Sequence, residues 1–154
     1  ASRWREVVLA VAVALLAALP VAAARAAFIT VEPVAATAGV GDRLDLNLRV
    51  GFDADDELVS YFDFDLTFDS SVLGFDGLVF GTALGLLDDI NSGAALSAPG
   101  TLDVFAFAEG LSDDELAALQ PGSSVLLATL SFIGLSPGTS LVGVLGPTLD
   151  GFFL

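Results

Sequence analysis

The sequence predicts an all-β sandwich with a single short helix, on three observations. Two segments alternate apolar and polar residues with the period of two that marks a strand buried on one face. Short apolar runs recur along the remainder, separated by Gly, Asp, Ser and Pro clusters at 39–42, 91–100 and 136–139. One capping-box motif marks the only place where the pattern turns helical.

Residues 1–26 stand apart from this pattern. Arg3 and Arg5 form a basic head, an apolar run of 13 residues covers 7–19, and Pro20 is followed by small residues up to Ala26. That order describes a secretory signal peptide, with Ala22-x-Ala24 and Ala24-x-Ala26 both meeting the small-residue rule for cleavage. The run is shorter than the roughly 20 residues a spanning helix needs, which favours a cleaved leader over an anchor. The folded domain is then 27–154, secreted or held at the cell surface. No further apolar run of spanning length follows in it.

The strands follow in order. Residues 28–32 lead into Pro33. The segment 43–52 puts Leu44, Leu46, Leu48, Val50 and Phe52 on one face, with Arg43, Asp45, Asn47 and Arg49 on the other. The segment 61–69 repeats the pattern, with Phe62, Phe64, Leu66 and Phe68 inward and Tyr61, Asp63, Asp65 and Thr67 outward. Runs at 73–75 and 78–80 flank Asp76-Gly77, a turn signal. The runs 101–108 and 125–133 are apolar on both faces and belong in central positions. Residues 141–145 close the set before Gly146-Pro147. Between the sixth and seventh runs, Ser112-Asp113-Asp114-Glu115 is a capping box, and Pro121-Gly122 stops the helix it starts. The helix reads as a lid on one end of the sandwich. Such a set of short strands argues for a β-sandwich.

Composition narrows the function. The chain has no His, Cys, Met or Lys, and sets 20 acidic residues against five arginines, for a net charge of −15. Zinc sites, histidine triads, thiol nucleophiles and disulfides are thereby excluded. Loss of the leader leaves Arg43 and Arg49 against 19 carboxylates, a net −17 that repels phosphate backbones and excludes an ordinary nucleic-acid binder. With 55% hydrophobic residues the chain can still build a core.

Two acidic groups are candidate sites. Asp53, Asp55 and Glu57 place oxygen ligands at alternate positions, as a Ca²⁺ loop would. The EF-hand comparison fails, because Leu58 stands where glycine is needed and Phe64 where the bidentate glutamate belongs. A solvated loop is the plainer reading. Asp63 and Asp65 share a strand face about 7 Å apart, within the range that paired glycosidase carboxylates use. Tyr61 is the only ring expected on that face, which disfavours both glycosidase work and a flat sugar-stacking platform, although Phe105 and Phe107 could be partly exposed. A wet face of Tyr61, Asp63, Asp65 and Thr67 fits a binding surface better than a catalytic one.

The order of motifs resembles the cohesin-like domains of exported bacterial proteins, particularly those carrying a PEP-CTERM sorting tail. The residues that carry the resemblance are Val40-Gly-Asp42, Phe62-Asp-Phe-Asp-Leu-Thr-Phe-Asp69 and Ser71-Val-Leu-Gly-Phe75. After the helix come Gly122-Ser-Ser-Val-Leu-Leu-Ala-Thr-Leu-Ser-Phe132 and Pro137-Gly-Thr-Ser140. The resemblance implies a jelly-roll sandwich of about nine strands, without enzymatic activity or cofactor. It also implies a dockerin-like or matrix protein partner, met on one sheet face. A carbohydrate-binding module associated with polysaccharide is the alternative, and a Ca²⁺-dependent surface domain the third.

Overall fold

The computed structural model describes residues 27–33, 36–52, 58–86 and 90–150, with 147–150 described by backbone alone. The expected leader at 1–26 and the acidic run at 53–57 lie outside the described residues. Eight strands form in the order β1 (Ala27–Glu32), β2 (Arg43–Phe52), β3 (Tyr61–Thr67), β4 (Leu73–Phe80), β5 (Ile90–Ala98), β6 (Thr101–Ala108), β7 (Ser124–Gly134) and β8 (Gly143–Asp150). The helix α1 (Asp113–Leu119) stands between β6 and β7. The strands make two antiparallel four-stranded sheets, β1-β2-β7-β4 and β5-β6-β3-β8. The expected all-β sandwich with one short helix is therefore present, with eight strands among the described residues where about nine were expected.

The alternation read from β2 and β3 decides which faces meet. Leu46, Leu48, Val50 and Phe52 pack against Phe62, Phe64 and Leu66, all of them buried. The Phe62 and Phe64 rings stack at 5.6 Å, while Phe68 meets Phe132 edge-on at 5.0 Å. Both runs that were apolar on two faces are central: β6 lies between β5 and β3, and β7 between β2 and β4. In β7 the double-faced look has a local cause. Its register against β2 shifts past Leu127, so the inward set changes from Val125 and Leu127 to Leu130 and Phe132 across one bulge.

Three sequence expectations are corrected. Asp76-Gly77 is not a hairpin turn; 73–80 is one strand paired throughout with β7, and Asp76 is the extra residue of a bulge. Gly77 has no positive φ, so the backbone that a two-residue hairpin turn would require is missing. The Gly, Ala and Ser-rich stretch at 91–100 is mostly strand β5, because pairing with β6 outweighs its weak intrinsic preference. The last strand starts at Gly143 and continues through Gly146-Pro147, where Gly146 takes φ 58° as the strand bulges opposite Phe64.

The helix is capped as expected. The Ser112 hydroxyl accepts from the Glu115 backbone N–H, and the Glu115 carboxylate accepts from the Ser112 backbone N–H at 2.8 Å. These bonds to Ser112 hold the Glu115 carboxyl below its ordinary range. Leu116 is buried beneath the helix. Just past the helix, Gln120 is also buried, and it ties α1 to two loops. It accepts from the Val59 N–H at 2.9 Å and donates to the carbonyls of Val59 at 2.6 Å and Ala83 at 2.8 Å. Replacing Ser112 with Ala is expected to lower stability by about 1 kcal/mol through the lost cap. A thermal melt at neutral pH checks this, and an unchanged midpoint would mean the cap is idle.

Candidate protein-interaction face

The two outward faces of the sandwich differ in chemistry. On the β1-β2-β7-β4 sheet the polar residues of β2 are neutralised within the sheet. Arg43 donates to Asp45 at 2.8 Å and to the Ser131 hydroxyl at 2.6 Å, and that hydroxyl donates to Asp45 at 2.7 Å. These bonds, from Ser131 first and Arg43 second, lower the Asp45 pKa. Arg49 lies 3.4 Å from Glu32, and Thr129 donates to Asn47 at 3.0 Å. Both arginines of 27–154 are thus held on this side by carboxylates of their own face.

The β5-β6-β3-β8 sheet turns outward the residues expected from the alternation of β3. Cross-strand register places Tyr61 beside Phe107, Asp63 beside Phe105, Asp65 beside Asp103 and Thr67 beside Thr101. On the other flank of β3, Asp65 is opposite Leu145 and Thr67 opposite Gly143, whose carbonyl accepts from the Thr67 hydroxyl at 3.4 Å. The four candidate residues therefore share one face, and β6 adds Thr101, Asp103, Phe105 and Phe107 to it. The Tyr61 hydroxyl donates to Asp63 at 2.9 Å, and this bond raises the Tyr61 pKa.

The ring inventory of this face is corrected. Tyr61 is not its only ring, since β6 brings Phe105 and Phe107 into the adjacent row, both partly exposed. Phe105 reaches across β5: a Cβ built on Gly93 would fall 2.5 Å from its ring, so the ring lies over the glycine. Burial of Leu102, Val104 and Ala106 fixes which side of β6 is inward. Thr101, Asp103, Phe105 and Phe107 must then face out.

Among the described residues the acidic part of the face has no cation of its own. Asp65 and Asp103 stand directly opposite each other, where side chains come within about 5 Å, and like charges in that position destabilise a sheet. Asp63, Asp65, Asp103 and the exposed Leu145 line a shallow open depression, with Gly146 at its rim. Among the described residues no three acidic side chains are close enough together to hold a metal ion. The Ca²⁺ candidates Asp53, Asp55 and Glu57 fall outside those residues. Among the described residues, too, no helix is long and apolar enough to cross a membrane.

Neither protein-family models nor curated proteins yield a match to the chain. Solved structures do. The sixth cohesin of scaffoldin B from Acetivibrio cellulolyticus, solved in complex with a dockerin, is 18% identical with a TM-score of 0.62, over 81% of this chain and 86% of that one. A type II cohesin domain from the cellulosome of the same organism is also 18% identical, at a TM-score of 0.61, over 83% of this chain and 87% of that one. A cohesin module from a family 33 glycoside hydrolase of Clostridium perfringens is 11% identical at 0.58, with coverages of 82% and 83%. At these identities the likeness is one of fold, and the fold is that of a cohesin module.

Proposed function

We propose that the chain is an exported, non-catalytic interaction module that binds a protein partner on the outward face of the β5-β6-β3-β8 sheet. One observation carries this reading: the Asp65–Asp103 pair, flanked by Asp63, on a face without an arginine among the described residues. Like charges in register cost the sheet stability, and a cationic partner surface would offset that cost on binding. The fold supports the same reading, since a solved relative of similar fold is in complex with a dockerin. The leader-like segment at 1–26 supports export to the surface or extracellular matrix, and a PEP-CTERM type of sorting fits with it.

Neutralising the pair tests the reading in two directions. The double change Asp65→Asn and Asp103→Asn is expected to raise the melting midpoint slightly, by up to about 1 kcal/mol of stability. It should also weaken retention of the partner from the producing organism's exported proteins. Retention by the unchanged protein should fall as salt is added, because exposed charges are screened within about 10 Å at 0.1 M. Undiminished retention by the double variant would reject the acidic face as the contact.

A second reading draws on the rings. Tyr61, Phe105 and Phe107 form an aromatic end of the same face, which is the equipment a carbohydrate-binding module needs for stacking on sugars. Recovery of a neutral glycan alone, with affinity indifferent to salt, would favour it over the protein partner.

A further inference from the structure

Among the described residues four strand edges end the two sheets, and each carries features that oppose further pairing along some or all of its length. The strand β1 is short, ends in Glu32 and runs into Pro33. The strand β4 is bent by the bulge at Asp76, and β8 by the bulge at Gly146-Pro147. The strand β5 carries such features only at its end, a bulge at Ser97 and Pro99 just after it. Over the seven residues from Ile90 to Leu96 it has no charge or proline, and its register against β6 is regular. Its other edge has no partner strand among the described residues.

Two features beside that edge indicate what would pair with it. Leu96 is opposite the fully buried Leu102 and so faces the core side, yet it is 55% exposed. A further strand would cover it. On the outward side, Gly93 and Ala95 are too small to screen the row behind them, where Phe105 lies over Gly93 and Asp103 is opposite Ala95. The next strand position is about 9.6 Å from β6, within reach of a long basic side chain passing over Ala95. A cation there would meet both the Asp103 carboxylate and the face of the Phe105 ring.

We propose that β5 accepts an extended, basic segment of the partner as a fifth strand of its sheet, with apolar side chains beside Leu96 and Lys or Arg outward beside Asp103. This rests on the reading of the sheet as the interaction face and specifies how the partner engages it: main-chain hydrogen bonds give affinity, and the alternating side chains give selectivity. A second copy of the chain is a poorer occupant, because it would bring −17 against −17.

The probe is a capped nine-residue peptide alternating lysine and valine, titrated into the purified protein with amide hydrogen exchange as the readout. The expected result is slowed exchange within 90–98, and a loss of affinity of about tenfold or more when alternate peptide nitrogens are methylated at constant charge. Equal affinity of the methylated peptide would overturn strand addition. The acidic face reading would survive that result if Asp65→Asn with Asp103→Asn still weakened binding. Methylation-sensitive binding that ignores those two changes would instead overturn the basic character assigned to the partner. Protection of β5 that grows with protein concentration, without peptide, would identify a second copy as the occupant and refute the proposal.

Discussion

Replacing Phe64 with Ala is expected to lower stability by about 3–5 kcal/mol, the range for deleting a large aromatic from a packed core. Phe64 is 2% exposed and stacks on Phe62, with Asp63 and Asp65 on the opposite side of the strand. A slip of one residue would bury both carboxylates and expose Phe62, Phe64 and Leu66, so the register leaves no intermediate outcome. The measurement is a thermal melt, where a loss of that size lowers the midpoint by more than about 10 °C in a domain of this length. An unchanged midpoint would show the register of β3 to be wrong, and with it the composition of the candidate face.

The second large effect concerns a polar side chain. Gln120→Leu is expected to cost about 2–4 kcal/mol, although leucine is apolar and the site is buried. Gln120 is 4% exposed and serves the Val59 N–H and the carbonyls of Val59 and Ala83. Leucine would leave those three groups unpaired where water cannot easily replace the amide, and an unmet buried group costs more than a met one gains. A melt in which Gln120→Leu matches the unchanged protein would mean that the loops at Val59 and Ala83 rearrange to satisfy themselves.

Gln120 also marks a limit of reading sequence. It stands before Pro121-Gly122 and looks like an ordinary exposed residue at the end of a helix. Its partners lie 61 and 37 residues away, so no local pattern predicts the cluster. The strands β2 and β3 were legible because one face of each is apolar and the other polar, and burial follows directly from that alternation. Three later strands were misread for a common reason: a bulge or a pairing partner overrode the local signal. Asp76-Gly77 and Gly146-Pro147 have the composition of turns, yet neighbouring strands hold both as bulges. In β5 the stretch of Gly, Ala and Ser has little preference of its own and is a strand through β6.

The candidate face was legible in half. Tyr61, Asp63, Asp65 and Thr67 follow from the alternation of β3, and the structure places them together. Asp103, Phe105 and Phe107 complete the face only because β6 pairs with β3, and such pairing cannot be read from either strand alone. The aromatic end went unassigned for that reason, as did the like-charge pair.

On the proposed function, the β5-β6-β3-β8 face, and not its counterpart, meets the partner. The direct test compares two charge reversals of equal size, Asp65→Arg on the candidate face and Glu32→Arg on the opposite sheet. Each variant is used to retain exported proteins of the producing organism at the same ionic strength, with melting midpoints measured alongside. Asp65→Arg places a cation beside Asp103 and should leave the fold intact while lowering retention by about tenfold or more. Glu32→Arg should retain the partner as the unchanged protein does. Equal retention by both variants, or loss confined to Glu32→Arg, would contradict the assignment of the face.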